Sequence, residues 1–150
     1  MDNMTLTKAQ IGKCGELLVQ YRLLLHGIES APMSTDTGID LVAYSDLKDD
    51  ALTIQVKSNE MAKPSGGAGS PALDWWLRDN SPADLVALVD LDSEEVWLFT
   101  HSEFAAEAQQ HSSGRYHFYM YLDDEVRPRK KALKSQFEAF RLENRIGQLL

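Results

Sequence analysis

Apolar residues recur at steps of three and four near the N-terminus of the chain, which is the spacing of one face of an α-helix. These apolar positions are Ile11, Cys14, Leu17, Leu18, Tyr21, Leu24 and Leu25. Thr5 or Thr7 can cap the start of this helix, and Gly27 can end it. The pattern predicts an amphipathic helix with Cys14 on its buried face and Glu16 at the edge of that face.

Two short runs with a period of two follow the loop after this helix. In residues 38–45, one face carries Ile39, Leu41 and Ala43, and the other carries Asp40, Val42 and Tyr44. In residues 51–58, Gln55 and Lys57 point the same way, because alternate residues of a strand share a face. The polar stretch between the runs is typical of a turn. We therefore expect an antiparallel hairpin whose register can bring Asp40 beside Gln55 and Lys57.

The remaining pattern predicts an alternation of helices and strands. Residues 58–72 are rich in glycine, serine and proline and predict a mobile loop, which could contact a substrate or be an ordinary surface loop. The other predicted elements are a short helix at 73–79, buried strands at 84–91 and 95–100, a helix at 101–111 capped by Ser102, a strand at 116–122 and a closing helix at 128–149. This order predicts one α/β domain over residues 1–150, with a central mixed sheet of four to five strands flanked by helices.

Composition indicates an ordinary globular protein. The chain has 150 residues, of which 43% are hydrophobic and 25% charged. It contains no run of about 18 apolar residues and does not start like a signal peptide, so we expect a cytoplasmic protein with no membrane contact. The single cysteine cannot form an internal disulfide, and the four histidines lack metal-ligand spacing, which argues against a structural zinc site.

Charge is distributed unevenly along the chain. The net charge is −8, which argues against a surface that grips nucleic acid everywhere. Residues 74–125 hold 12 acidic and 2 basic residues, whereas residues 126–150 hold 2 acidic and 7 basic residues. The basic strip around Arg129, Lys130 and Lys131 could therefore contact a phosphate backbone, but it could equally be a solvated helix start or pair with the acidic segment.

Two adjacent tryptophans stand out in the middle of the chain. Trp75 and Trp76 could stack on an unpaired base, since every nucleobase has a π-face. Tryptophans at this density also occur in cores and at dimer interfaces. Both alternatives stay open from the sequence.

Asp40, Gln55 and Lys57 together carry the groups needed for metal-assisted chemistry. With Glu16 approaching from the first helix, two carboxylates, an amide oxygen and the backbone carbonyl of Val56 form a set of oxygen ligands that suits Mg²⁺, for which Mn²⁺ could substitute. The Lys57 amine could help to activate a water or stabilise charge developing on phosphorus. These parts suffice for hydrolysis of a phosphodiester bond.

The order and spacing of three short motifs resemble the PD-(D/E)XK nuclease superfamily, in its branch with glutamine before the lysine. The motifs are "GE" at residues 15–16, "GID" at 38–40 and "QVK" at 55–57, so the resemblance spans residues 12–58. It implies a restriction-endonuclease-like three-layer fold. It also implies that Asp40 binds the metal, that Lys57 is the catalytic lysine, and that Glu16 holds the metal or its waters.

Two departures from the family pattern affect the expected site. Ile39 occupies the place of a proline before Asp40, and Gln55 stands where most members have a second acid. An amide keeps an oxygen ligand but removes a negative charge, so we expect the site to hold Mg²⁺ less tightly than a site with three carboxylates.

The resemblance implies a metal-dependent endonuclease, a hydrolase that acts on DNA rather than RNA. A homodimer would suit cleavage of both strands of a duplex. A protein partner could supply substrate recognition, because the sequence shows no DNA-binding motif of its own. The alternative function is that of a catalytically inactive nuclease-like module, which acts as a protein-binding, immunity or regulatory partner through the acidic segment 74–125.

Overall fold

Two β-sheets and four helical segments make up the described part of the computed structural model, which comprises residues 5–35, 37–45, 49–65 and 69–150. The helices are α1 (Lys8–Leu25), α2 (His101–Glu107), α3 (Leu142–Leu149) and a 3-10 helix (Lys134–Phe140). The strands are β1 (Glu29–Pro32), β2 (Leu41–Tyr44), β3 (Leu52–Asn59), β4 (Lys63–Pro64), β5 (Pro71–Arg78), β6 (Leu85–Asp90), β7 (Glu95–Thr100), β8 (Gln110–Ser112) and β9 (Arg115–Tyr121).

The central sheet has five strands in the order β1-β2-β3-β6-β7. Strands β3 and β6 run parallel, and the other neighbours are antiparallel. All six residues of β6 are buried, as expected for a strand that is covered on both faces. The predicted α/β fold with a central mixed sheet is therefore confirmed.

Helices cover one face of the central sheet. Leu85, Ala87 and Val89 of β6 form a hydrophobic core with Val19 of α1 and Ile146 of α3. These three positions of β6 alternate along the strand, so they all point toward the same layer.

A second sheet covers the opposite face, where helices alone were expected. It has the order β4-β5-β9-β8. Val86 and Leu88 of β6 belong to a core with Leu73 and Leu77 of β5 and Phe118 of β9. The 3-10 helix and α2 complete this layer through the buried residues Phe137 and Phe104.

The predicted helix at residues 73–79 is wrong, because this segment is strand β5. Its residues alternate between buried Leu73, Trp75 and Leu77 and exposed Asp74, Trp76 and Arg78. This alternation is a period of two, and it lets one face of β5 pack on the central sheet while the other faces solvent. In the predicted loop 58–72, β3 extends to Asn59 and β4 pairs with β5. Residues 66–68 of that loop lie outside the described residues.

Helix α1 begins as predicted but buries a different face. Thr7 caps it through a capping box with Gln10. The buried residues are Gly15, Val19 and Leu23. Cys14 is exposed, so the expectation that it belongs to the core is wrong.

Close contact between α1 and β3 explains which face of the helix is buried. A Cβ atom on Gly15 would lie 1.7 Å from Ser58 Oγ and 2.9 Å from Ser58 Cβ. Only glycine allows the helix backbone to approach the strand this closely. The leucines of the predicted apolar face, such as Leu17 and Leu24, consequently turn outward and are 53% and 56% exposed.

The C-terminal segment is not one continuous helix. The 3-10 helix and α3 are separated at Arg141, whose backbone has φ −53° and ψ 138°. Arg141 bridges to Trp97 of β7, and its Nη1 donates a hydrogen bond of 2.8 Å to Glu95 Oε2. Helix α2 likewise differs at its start, where Thr100 rather than Ser102 is the cap.

No helix in the described ranges of the chain is both long and apolar enough to cross a bilayer.

Replacing Gly15 by alanine tests the contact between α1 and β3. We expect Gly15→Ala to lower the free energy of unfolding by about 1–3 kcal/mol, because the new methyl group overlaps Ser58. Gly12→Ala in the same helix is the matched control: nothing lies within 4 Å of its added Cβ, so it should stabilise the protein by about 0.5–1 kcal/mol. Urea unfolding measures both values, and equal stability of the two variants would contradict the proposed contact.

Glu95 provides a pH-dependent test of how the C-terminal segment is held. Burial alone would raise the pKa of Glu95, but hydrogen bonds from Lys134 and Ser93 and the charges of Lys134 and Arg141 outweigh it and lower the pKa. A carboxyl group whose pKa is lower in the folded state stabilises the protein at pH values above its unfolded-state pKa. This contribution disappears as the pH falls through the folded-state pKa. We expect Glu95→Gln to lower the free energy of unfolding by about 1.5–3 kcal/mol at pH 7.

The difference in the free energy of unfolding between Glu95→Gln and the original protein should narrow as the pH falls below the ordinary glutamate pKa of 4.5. Urea unfolding between pH 7 and acid measures this trend. Glu94→Gln removes the same charge from an exposed neighbouring side chain and should change stability little. A constant difference between Glu95→Gln and the original protein at every pH would contradict the ionic role of Glu95.

Candidate active site

The polar residues of β3 open into a cleft beside the second sheet. Gln55 and Lys57 lie opposite Val86 and Leu88 in the parallel register with β6, on the face that the second sheet covers. The second sheet covers β3 only in part. The resulting cleft has a volume of about 590 Å³. Its lining residues are Thr37, Gly38, Gln55, Lys57, Arg78, Asn80, Ser81 and Pro82.

The Asp40 side chain binds the backbone of β3 where the ladder between β2 and β3 ends. The last pair of that ladder is Leu41 with Ile54. The Asp40 N–H donates to the carbonyl of Ile54 at 2.9 Å, and Asp40 Oδ2 accepts a hydrogen bond of 2.7 Å from the N–H of Val56. The carboxylate therefore lies at the edge of β3 next to the residue between Gln55 and Lys57.

The Gln55 side chain is oriented by the turn that precedes β6. Its Oε1 accepts a hydrogen bond of 2.5 Å from the Ser81 hydroxyl. Ser81 is itself fixed by a backbone hydrogen bond of 3.1 Å from its N–H to the carbonyl of Arg78. An amide oxygen has two lone pairs, so Gln55 can accept from Ser81 and still face a second partner in the cleft.

Glu16 reaches the site region from the helical layer. It is half-buried and follows Gly15, whose close contacts are with Val56 and Ser58 of β3. These contacts place α1 over the face of β3 opposite to that of Gln55 and Lys57. The structure thus joins Asp40 to Val56, puts Gln55 and Lys57 in one cleft, and leaves Glu16 on the adjacent helix.

The donor set of this region fits Mg²⁺ better than a softer metal. No group of three or more histidine, cysteine, aspartate or glutamate side chains in the described ranges could hold a metal ion. The N–H and C=O of one strand residue point to the same side, so the carbonyl of Val56 faces the Asp40 side, as its N–H does. Two carboxylates, one amide oxygen and one carbonyl are oxygen donors compatible with Mg²⁺, which keeps several waters.

The basic strip near the C-terminus is largely engaged within the fold. Lys130 Nζ donates to the backbone carbonyl of Gln109 at 2.6 Å. Lys131 Nζ lies 3.4 Å from Glu107 Oε1 and 4.9 Å from the centre of the Phe137 ring. Arg129 is exposed. Two of the three predicted phosphate-binding residues therefore have structural partners.

The two adjacent tryptophans have opposite environments. Trp75 is 2% exposed, and its Nε1–H donates to the carbonyl of Val89 at 3.3 Å. The expectation that Trp75 stacks on a base is thus corrected, because its indole belongs to the core. Trp76 is 42% exposed and stacks on His117 with ring centres 3.9 Å apart.

The sequence analysis missed the residues that form the far wall of the cleft. Arg78, Asn80, Ser81 and Pro82 lie at the end of β5 and in the turn before β6. Asparagine, serine and proline together indicate a turn, and this turn lies just before the fully buried strand β6. With β5 interpreted as a helix, however, nothing indicated that the turn would face β3.

Solved structures with a similar fold are nucleases. The structure of a bacterial homing endonuclease, I-Ssp6803I, matches with a TM-score of 0.62 and 19% identity over 95% of each chain. A Holliday junction resolvase, Hjc from the archaeal hyperthermophile Archaeoglobus fulgidus, matches with a TM-score of 0.49 and 15% identity over 75% of this chain and 84% of that chain. No protein-family model and no curated protein sequence matches the chain. At 19% identity, the likeness to the homing endonuclease shows the fold alone.

Gly38 allows the segment before Asp40 to form the wall of the cleft. Its φ is +85°, and an added Cβ would lie 2.9 Å from Pro82 Cδ. We expect Gly38→Ala to lower the free energy of unfolding by about 1–2 kcal/mol for the left-handed conformation and by about 1–3 kcal/mol more for the clash. Gly27→Ala is the control, because Gly27 has a φ of +76° but nothing within 4 Å of the added Cβ. Urea unfolding that gave equal losses would show that Pro82 moves aside freely.

Proposed function

We propose that the protein is a metal-dependent nuclease that hydrolyses phosphodiester bonds within DNA. One observation carries this proposal: the Asp40 carboxylate is fixed by the N–H of Val56, the residue between Gln55 and Lys57, which both line the cleft. An acid, an amide and an amine are thus gathered from two neighbouring strands. A site that served only stability would not need three polar side chains at this position.

Each residue of the proposed site has a definite task. Asp40, Gln55 and the carbonyl of Val56 would hold Mg²⁺, with Mn²⁺ as a substitute, and Glu16 on the adjacent helix would hold the metal or its waters. The metal would supply Lewis-acid activation of the phosphoryl group and of a bound water. Lys57 offers three N–H donors from a charged amine, so it can bind a phosphate oxygen as charge develops there. Ser81 keeps the Gln55 amide oxygen directed at the site.

The fold supports the choice of reaction and substrate. A homing endonuclease is similar over 95% of this chain. A shared fold does not by itself assign an activity. The fold nevertheless agrees with a reaction that the residues of the cleft suggest independently, and it favours DNA over RNA as the substrate.

The acidic segment 74–125 gives less support to the alternative of an inactive, protein-binding module. Several of its carboxylates are engaged with partners inside the fold. These contacts are Asp74 with His117, Asp79 with His111, Asp84 with Thr53, Glu95 with Lys134, Glu103 with Arg145 and Glu107 with Lys131. Carboxylates with internal partners present a weaker negative surface to a nucleic-acid-binding protein.

Replacing Lys57 tests the proposed chemistry. The original protein should cleave single-stranded, duplex or branched DNA with Mg²⁺ or Mn²⁺ and not with a chelator. We expect Lys57→Ala to slow single-turnover cleavage by about 100-fold or more, because the variant lacks the amine that assists the reaction. Lys13→Ala, which removes an exposed lysine of α1, is the matched control and should cleave normally.

A second variant tests the role of Gln55. Gln55→Glu adds the charge of a second acid and can still accept from the Ser81 hydroxyl, so cleavage should reach half its maximum at a lower Mg²⁺ concentration. Unchanged melting temperatures would show that both variants are folded. Absence of metal-dependent cleavage from the original protein on every DNA form would exclude the proposed activity.

A further inference from the structure

Two arginines face each other on the exposed side of the second sheet. Arg78 of β5 and Arg115 of β9 are direct partners in the antiparallel register, and both are exposed. Like charges directly opposite each other destabilise a sheet. These two arginines are also the two basic residues of segment 74–125, which contains 12 acidic residues. Two bases in so acidic a segment would be expected to pair with its acids rather than with each other.

Neither arginine forms a salt bridge with an acid in the part of the chain that the structure describes. The salt bridges among the described residues involve other arginines, lysines and histidines, and none includes Arg78 or Arg115. Asp79, which follows Arg78 in the chain, has its Oδ2 3.0 Å from His111 Nε2, and Asp74, on the same face of β5, has its Oδ2 3.0 Å from His117 Nε2. The repulsion between the arginines is therefore not relieved by a direct ion pair.

The guanidinium group of Arg115 is held in place by aromatic contacts. It lies 5.1 Å from the centre of the Trp76 ring. Trp76 in turn stacks on His117 with an interplanar angle of 4°. A guanidinium group placed over an aromatic ring keeps its charge and loses part of its freedom. Arg115 is therefore preorganised on the sheet surface.

Arg78 connects this surface to the candidate active site. It lines the cleft that contains Gln55 and Lys57. It also lines a neighbouring cavity of about 390 Å³, together with Arg115 and Asn80. Asp79, whose carboxylate contacts His111, lines the same cavity. The two cavities share Arg78 and Asn80, so they are adjacent, and Arg78 lies between Arg115 and the cleft.

We propose that Arg78 and Arg115 bind one backbone phosphate of the DNA strand whose next phosphates enter the cleft. That the bound chain is DNA rests on the proposed nuclease function. The planar fork of a guanidinium matches phosphate oxygens, and a phosphate between the two arginines would cancel their repulsion. Trp76 is a positioning residue, which acts by holding Arg115.

Fluorescence anisotropy of the full chain with labelled DNA oligonucleotides, in a chelator so that no cleavage occurs, tests the phosphate site. Arg78→Gln and Arg115→Gln should each weaken binding about tenfold at low salt, and each should reduce the slope of log K against log salt by about 1. Lys13→Gln is the control, because it removes an exposed positive charge from α1 and should change binding little. An equal loss in Lys13→Gln would indicate a nonspecific charge effect and overturn the proposal.

Two further measurements separate binding from a structural role. The melting temperature of Arg78→Gln should be equal to or above that of the original protein, because the repulsion is removed; weaker binding with a lower melting temperature would overturn the proposal. Trp76→Leu should weaken binding in the original background but not in the Arg115→Gln background, because it acts through Arg115. Additive losses would overturn the positioning role.

The outcomes for the phosphate site and for the nuclease function are distinguishable. If Lys57-dependent cleavage occurs while Arg78→Gln and Arg115→Gln bind DNA normally, the nuclease stands and the phosphate site is wrong. If neither the original protein nor its variants cleave DNA but both arginine variants lose affinity, the phosphate site stands and the nuclease function is wrong. An original protein that binds none of the oligonucleotides would overturn the phosphate site directly.

Discussion

Burial of β6 on both faces is the constraint on which the rest of the structure depends. Its alternate residues belong to two separate cores, one under α1 and α3 and the other under the second sheet. Strand β3 is parallel to β6. The helical layer covers β3 completely, whereas the second sheet covers it only in part. Polar residues in the middle of a sheet are costly where they are enclosed, but on β3 they face the gap at the border of the second sheet. The place of the cleft is thus a consequence of how far that sheet extends.

Two close approaches of the backbone then set the dimensions of the site. At Gly15, helix α1 comes near enough to β3 to bring the residue after it, Glu16, to the level of Val56 and Ser58. At Gly38, a left-handed conformation brings the chain against Pro82 just before Asp40. Both glycines belong to the motifs from which the site was predicted. Their importance is mechanical, since they determine where the adjacent carboxylates lie.

The sequence allowed prediction wherever one physical signal dominated. The apolar runs of β6 and β7 were sufficient to place those strands, and Thr7 is one of the two caps predicted for α1. Prediction failed where the periods of a strand and of a helix competed. Residues Leu73 to Arg78 alternate between buried and exposed, as in a strand. The segment with its two adjacent tryptophans was nevertheless interpreted as a short helix. It also failed on α1, because the buried face was chosen by a glycine contact with Ser58 rather than by the number of leucines. The cleft residues on β3 were predictable from their alternation, whereas its wall at Asn80 to Pro82 required the position of β5.

An acidic protein can act on a polyanion if its charges are sorted in space. The net charge of −8 is an average over the surface, but phosphates respond to charge within about 10 Å at ordinary ionic strength. On the second sheet, the acids Asp74 and Asp79 contact histidines, while Lys57, Arg78 and Arg115 line two neighbouring cavities that share Arg78 and Asn80. Acids elsewhere would repel a strand that approached in another orientation. The same net charge that disfavours binding over the whole surface can therefore direct a strand to the place where the bases face solvent.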